Sequence, residues 1–185
     1  MEQFNTSFFL TTLHLIGVAV GLGGALFGDL LFFSATRNGI ISLPELRLIK
    51  KDGNFVMIGL LILIVSGTGL FLLQPEKYLA STKFLSKMAI VLVLTVNGLI
   101  FHRVHFKTMK KLVGVRLRES RVFRRVSAGL FISGAVSLTS WLCALALGSL
   151  RSLPFSVFEI LSVYTLALGM ASMSAMFLRR RFLQS

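Results

Sequence analysis

The chain has 185 residues, 55% of them hydrophobic, with 17 phenylalanines and a mean hydropathy of +0.81, and a soluble domain of this size cannot hide that much apolar surface. Its formal net charge of +13 comes from basic residues set in short blocks between apolar runs. Anionic lipid head groups attract such blocks at roughly 1 kcal/mol per residue, so the charge points to a membrane surface and excludes a nucleic-acid role, no soluble domain being left to carry one.

The first apolar run covers 8–33 and contains His14, Gly17, Gly21, Gly23, Gly24, Gly28 and, near its far end, Asp29. No positive charge precedes it, so it lacks the basic start of a cleaved signal peptide. In the connection that follows, Ser42-Leu43-Pro44-Glu45 has capping-box spacing. It predicts a short helix lying on the membrane with Leu43, Leu46 and Ile49 on one face. The second run, 55–73, stops at Gln74-Pro75, and the third covers 84–102. The basic stretch 103–125 reads as a cytoplasmic extension of the third helix, broken near Gly114 and resting on anionic lipid. The fourth and fifth runs are 126–150 and 155–178. None alternates with the period of a barrel strand. The expected fold is all-α, a polytopic transmembrane bundle of five helices forming a single membrane domain over 1–185.

Orientation follows from lysine and arginine in the connections. The first holds Arg37, Arg47, Lys50 and Lys51, the second Lys77 and Lys83, the third nine basic residues, the fourth only Arg151, and the tail Arg179, Arg180 and Arg181. High and low counts alternate, which places the N-terminus outside and the C-terminus in the cytoplasm of a plasma or inner membrane.

Polar residues within the runs are the candidate functional groups. At 1.5 Å per residue, His14 lies roughly 9 Å into the outer half. Asp29 and Glu159 read as interfacial residues, near the inner and outer surfaces respectively. Fourteen residues separate Lys87 from His102, about 21 Å of helix against an apolar thickness of about 30 Å. Lys87 therefore either snorkels outward or sits at the depth of His14. His102 reaches the inner head groups, with His105 one turn below on the same face. The two histidines of the first and third runs differ in depth by roughly 18 Å, too far to share one metal or one haem. Met170, Met173 and Met176 recur every three residues, and with the lone cysteine, Cys143, they are either soft-metal donors or packing residues. Gly17-xxx-Gly21 and Gly24-xxx-Gly28 permit close helix approach and leave incidental room for a flat ligand. Nothing in the sequence matches a nucleophile triad, a phosphate loop or a zinc cluster.

Leu13-His14-Leu15-Ile16 with Gly23-Gly24, Gly67-Thr68-Gly69 near the end of the second run, Phe84-Leu85-Ser86-Lys87 and His102-Arg103 carry a family resemblance. Over about the first 110 residues the chain resembles small polytopic proteins of the membrane protoporphyrinogen oxidase (HemJ) and copper-resistance D (CopD) kind. The resemblance implies haem b ligation by His14 and a functional role for Lys87. Gly21 stands where the oxidase family has a tryptophan, and the fifth run has no counterpart in the four-helix pattern.

Three functions are open at this point. The first is a b-type haem protein in electron transfer or oxidation, with His14 as axial ligand, Lys87 neutralising a propionate or an anionic substrate, and Gly17, Gly21 and Gly24 clearing the porphyrin. The second is a permease for copper or another small solute, using His14 with Met170, Met173, Met176 or Cys143 and, more weakly, His102. The third is a structural subunit of a homo-oligomer or larger membrane complex.

Overall fold

The computed structural model describes residues 2–150 and 154–184, so the expectation for Arg151 lies outside the described residues. The elements are α1 (Glu2–Arg37), α2 (Leu43–Leu73), α3 (Pro75–Leu79), α4 (Thr82–Ile100), a π-helical turn (Phe101–His105), α5 (Phe106–Lys110), α6 (Arg121–Ser149) and α7 (Val157–Gln184). Among the described residues there is no strand. Five stretches are long and apolar enough to cross a membrane, namely Phe4–Arg37, Leu43–Leu73, Thr82–Lys110, Arg121–Ser149 and Val157–Gln184. Even the shortest, at 28 residues, is about 42 Å long and overruns an apolar thickness of about 30 Å. The chain is a five-helix, multi-pass membrane protein. Large apolar side chains such as Phe8, Leu15, Leu61, Leu92, Phe158 and Leu166 point away from the bundle, as a lipid-covered surface requires.

α1 and α2 are the most intimate pair, and α6 packs on α1, α4 and α7. Glycine sets the first approach. A Cβ on Gly59 would run into the backbone of Gly21 and lie 2.9 Å from the Gly17 carbonyl oxygen, and a Cβ on Gly17 would lie 2.9 Å from the Leu63 nitrogen. Bare backbone against bare backbone is the closest packing two helices can reach. The other side of Gly21 is filled by Trp141 of α6, which is fully buried.

One expectation about the connections is corrected. The capping box forms: the Ser42 amide and hydroxyl donate to the Glu45 carboxylate at 2.8 and 2.7 Å, and the Glu45 amide donates to Ser42 Oγ at 3.3 Å. The helix it starts is not a separate surface helix, because it continues without a break into the second span. Gly53 alone does not stop it, a mid-helix glycine costing only about 1 kcal/mol. Leu46 and Ile49 turn into the bundle with Ile41, Phe106 and Leu117, whereas Leu43 stays 50% exposed. Replacing Ser42 by alanine is expected to lower stability by about 1 kcal/mol, read as a lower melting temperature in detergent.

The third connection does break at Gly114, whose φ of +74° suits glycine. Its apolar residues divide, Val115 being 38% exposed and others turned inward. Leu112 and Leu117 are buried, and the segment pairs with the first connection through Gly114 N–H to Ile41 O (2.9 Å) and Leu117 N–H to Gly39 O (2.8 Å). Together the first and third connections close one end of the bundle, here termed the basic end. At the opposite end the Lys83 ammonium donates to the Leu150 carbonyl, joining the second and fourth connections. The connections thus alternate between ends, as the basic-residue count requires of five spans.

Candidate functional site in the bundle interior

Polar side chains meet inside the bundle at two levels. The first is around His14. α1 carries its ring to α2, where Nδ1 lies 3.0 Å from Ser66 Oγ. The Ser66 hydroxyl donates to the Ile62 carbonyl at 2.6 Å, so it accepts from the ring, and Nδ1 is the protonated nitrogen. Nε2 is left with its lone pair. Gly67 makes room, since a Cβ there would lie 3.2 Å from the His14 ring. Lys87 of α4 is half-buried. Its ammonium lies by Gly148, 3.8 Å from where a Cβ would stand.

A haem on the glycine face of α1 does not fit this packing. The space beside Gly17 is taken by Leu63 and Gly59, beside Gly21 by Trp141, and beside Gly24 by Val56. These glycines serve helix contact and leave no clearance for a porphyrin.

The second level lies nearer the basic end and is the more developed. A partly open cavity of about 90 Å³ is lined by α1, α2, α4, α5, α6 and the π turn, with Asp29, Asp52, Asn97, His102, Ser133 and Ser137 as its polar lining. Its volume is about that of three water molecules in the liquid. The remaining walls are mostly apolar, with Phe32, Met57, Phe101 and Met109 among them.

Glycines seat both carboxylates. Asp52 lies over α1, where a Cβ on Gly28 would strike its Oδ2 and a Cβ on Gly24 would lie 3.6 Å from its Oδ1. Asp29 lies over α6, with Oδ1 2.6 Å from where a Cβ on Gly134 would stand. Asp52 is only 8% exposed, and Asp29 is half-buried. Neither has a hydrogen bond or a basic partner among the described residues, where the single ion pair is Arg116–Glu119 at the surface. Both carboxyl groups line the same cavity. Two like charges without a counter-ion, inside a membrane-spanning bundle, are unfavourable unless a proton or cation joins them.

The π turn aims His102. It interrupts the α-helical run for one turn, a device often found at functional sites. His102 Nε2 donates to the Gly53 carbonyl at 3.2 Å, a bond only a protonated nitrogen can make to a carbonyl. His105 instead faces α6, where a Cβ on Gly129 would lie 3.1 Å from its ring. The two histidines therefore diverge to different helices instead of sharing a face, and His102 turns inward instead of reaching for head groups. Asn97 and Ser133 bond reciprocally: Asn97 Nδ2 donates to the Ser133 carbonyl at 3.0 Å, and Ser133 Oγ donates to Asn97 Oδ1 at 2.9 Å.

Asp29 faces the bundle's interior, over Gly134 of α6. Glu159 is an exposed helix cap, accepting from the Ser156 amide and hydroxyl at 2.8 Å each. Met170 and Met173 are 61% and 67% exposed on the outside of α7, which packs on α4 and α6, so they form no ladder with His14. Cys143 packs among apolar residues of the core. Among the described residues no group of three His, Cys, Asp or Glu side chains is placed to hold a metal ion. Replacing Met170 and Met173 by leucine is expected to leave melting temperature and metal content unchanged.

Comparison of the chain with protein-family models, with curated proteins and with solved structures finds no match.

Proposed function

We propose that the protein is a membrane permease for a cationic solute or protons, with Asp29 and Asp52 as the groups that bind and release the charge. One observation carries the reading: two carboxylates without a basic partner face one cavity inside a bundle built to cross a membrane. Ionisable residues in such places mark ion pathways and proton relays. With the basic end in the cytoplasm, as the distribution of lysine and arginine has it, the cavity lies in the inner half, and His14 with Lys87 lies in the outer half. Fully buried Trp141 packs between these levels, over Gly21. Such a bundle admits solute to one level at a time, which is the minimum a carrier needs.

The test is flux into vesicles of mixed phosphatidylcholine and phosphatidylglycerol containing the purified protein and a pH-sensitive dye. Proton entry driven by an imposed membrane potential is expected with the wild-type chain and absent from the Asp29→Asn, Asp52→Asn double variant. Equal flux in both would contradict the reading. A b-type haem on His14 is the second reading, favoured by the free lone pair on Nε2. The packed glycine face counts against it, and the purified protein is expected to show no Soret band; a band abolished in His14→Ala would install haem instead.

A further inference from the structure

The cavity also specifies what kind of cation suits it, an inference that rests on the permease reading of the same site. We propose that it binds a small organic cation rich in N–H donors, an ammonium or guanidinium group. The argument is a count of donors and acceptors around the cavity. His102 Nε2–H is committed to the Gly53 carbonyl. One hydrogen of Asn97 Nδ2 is committed to the Ser133 carbonyl, and Ser133 Oγ–H to Asn97 Oδ1. Of the polar side chains lining the cavity, Ser137 keeps its hydroxyl donor and Asn97 the second hydrogen of its amide without an assigned partner among the described residues. Against those two donors stand four carboxylate oxygens, all acceptors, on Asp29 and Asp52.

Asp52 makes the imbalance costly. The residue is 8% exposed, and its carboxylate borders the cavity with neither a hydrogen-bond donor nor an ion-pair partner among the described residues. A ligand that fits must bring positive charge and several hydrogens. Anions and neutral acceptors are excluded by charge and by the lack of donors. A hard divalent ion wants six or more oxygens, and no group of three ligating side chains converges among the described residues. The apolar and aromatic lining, Phe32 and Phe101 included, favours a weakly hydrated cation over a strongly hydrated one. The volume, about 90 Å³, admits a head group of a few heavy atoms.

The experiment is equilibrium binding to the purified full-length protein in detergent, with guanidinium and tetramethylammonium as probes. They carry the same charge, and only guanidinium has N–H groups. Guanidinium is expected to bind at least about tenfold more tightly than tetramethylammonium, the value of one charge-assisted hydrogen bond. Asp29→Asn and Asp52→Asn are each expected to weaken guanidinium by about tenfold or more. Equal binding of the two probes to the wild-type chain would overturn the proposal without recourse to any variant, and so would unaltered guanidinium binding in Asp52→Asn. Vesicle flux separates this inference from the reading beneath it. Carboxylate-dependent proton flux without guanidinium selectivity refutes the ligand class alone, whereas selective guanidinium binding with no flux of either ion refutes the permease and leaves the site.

Discussion

Replacing Asp52 by asparagine is expected to make the protein more stable and less active at once. Asp52 is 8% exposed, its carboxylate has no partner among the described residues, and a charge so placed destabilises the fold that holds it. Asparagine has nearly the same shape and lies in the same seat over Gly28 and Gly24, without the charge. The melting temperature in detergent is expected to rise, because asparagine removes the charge while keeping the shape. Cation flux is expected to fall about ten- to a hundredfold, as the loss of one charge-assisted hydrogen bond of about 1.5–3 kcal/mol implies. A carboxylate that serves structure alone gives the opposite sign in the melt, because its removal leaves partners unpaired. Opposed effects on stability and activity are the mark of a residue kept for function.

Gly59→Ala is the substitution expected to damage the fold most for the single methyl it adds. The new Cβ would meet the amide of Gly21, lie 2.7 Å from the Gly21 Cα and lie 2.9 Å from the Gly17 carbonyl. All three are backbone atoms, so no side chain can swing away, and α1 and α2 have to part. Overpacking costs typically about 1–3 kcal/mol, and a clash of backbone on backbone belongs at the upper end. Parting the helices also disturbs Trp141, which rests on Gly21. Gly23→Ala is the matched control: nothing lies within 4 Å of its Cβ position, and alanine is the better helix former by about 1 kcal/mol. Thermal melts are expected to show a large loss for the first variant and a small gain for the second. Equal melting temperatures would mean that the helices are not held at this distance.

The five spans were legible because lipid contact writes itself as long apolar runs. Their ends were less so, since hydrogen bonding carries α2 from Leu43 through the polar stretch around Asp52 without regard to hydropathy. The site was half legible. Depth along a helix follows from residue number, but rotation about its axis does not, and Asp29 was placed at an interface by depth alone. Its rotation was within reach. Fifteen residues at 100° each put Asp29 about 60° from His14 around α1, so a helix that turns His14 inward turns Asp29 inward too. Asp52 is about 40° from Ser66 on α2 by the same arithmetic. Asn97, a lone amide in an apolar run, marks the inward face of α4 in the same way. The π turn was not legible, because no residue type in Phe101–His105 demands it. The closure of the basic end was hidden for another reason: it depends on Ile41 and Leu117, distant in sequence, meeting through backbone hydrogen bonds to Gly39 and Ile41.

The central claim is that Asp29 and Asp52 are the groups that take up the cation. Infrared difference spectroscopy of the protein in lipid vesicles, recorded with and without guanidinium, observes the carboxyl groups themselves. A carboxyl band that shifts on adding the cation, and is missing from the Asp29→Asn, Asp52→Asn double variant, is the predicted result. A spectrum in which no carboxyl band responds, or in which the response survives in the double variant, would contradict the account.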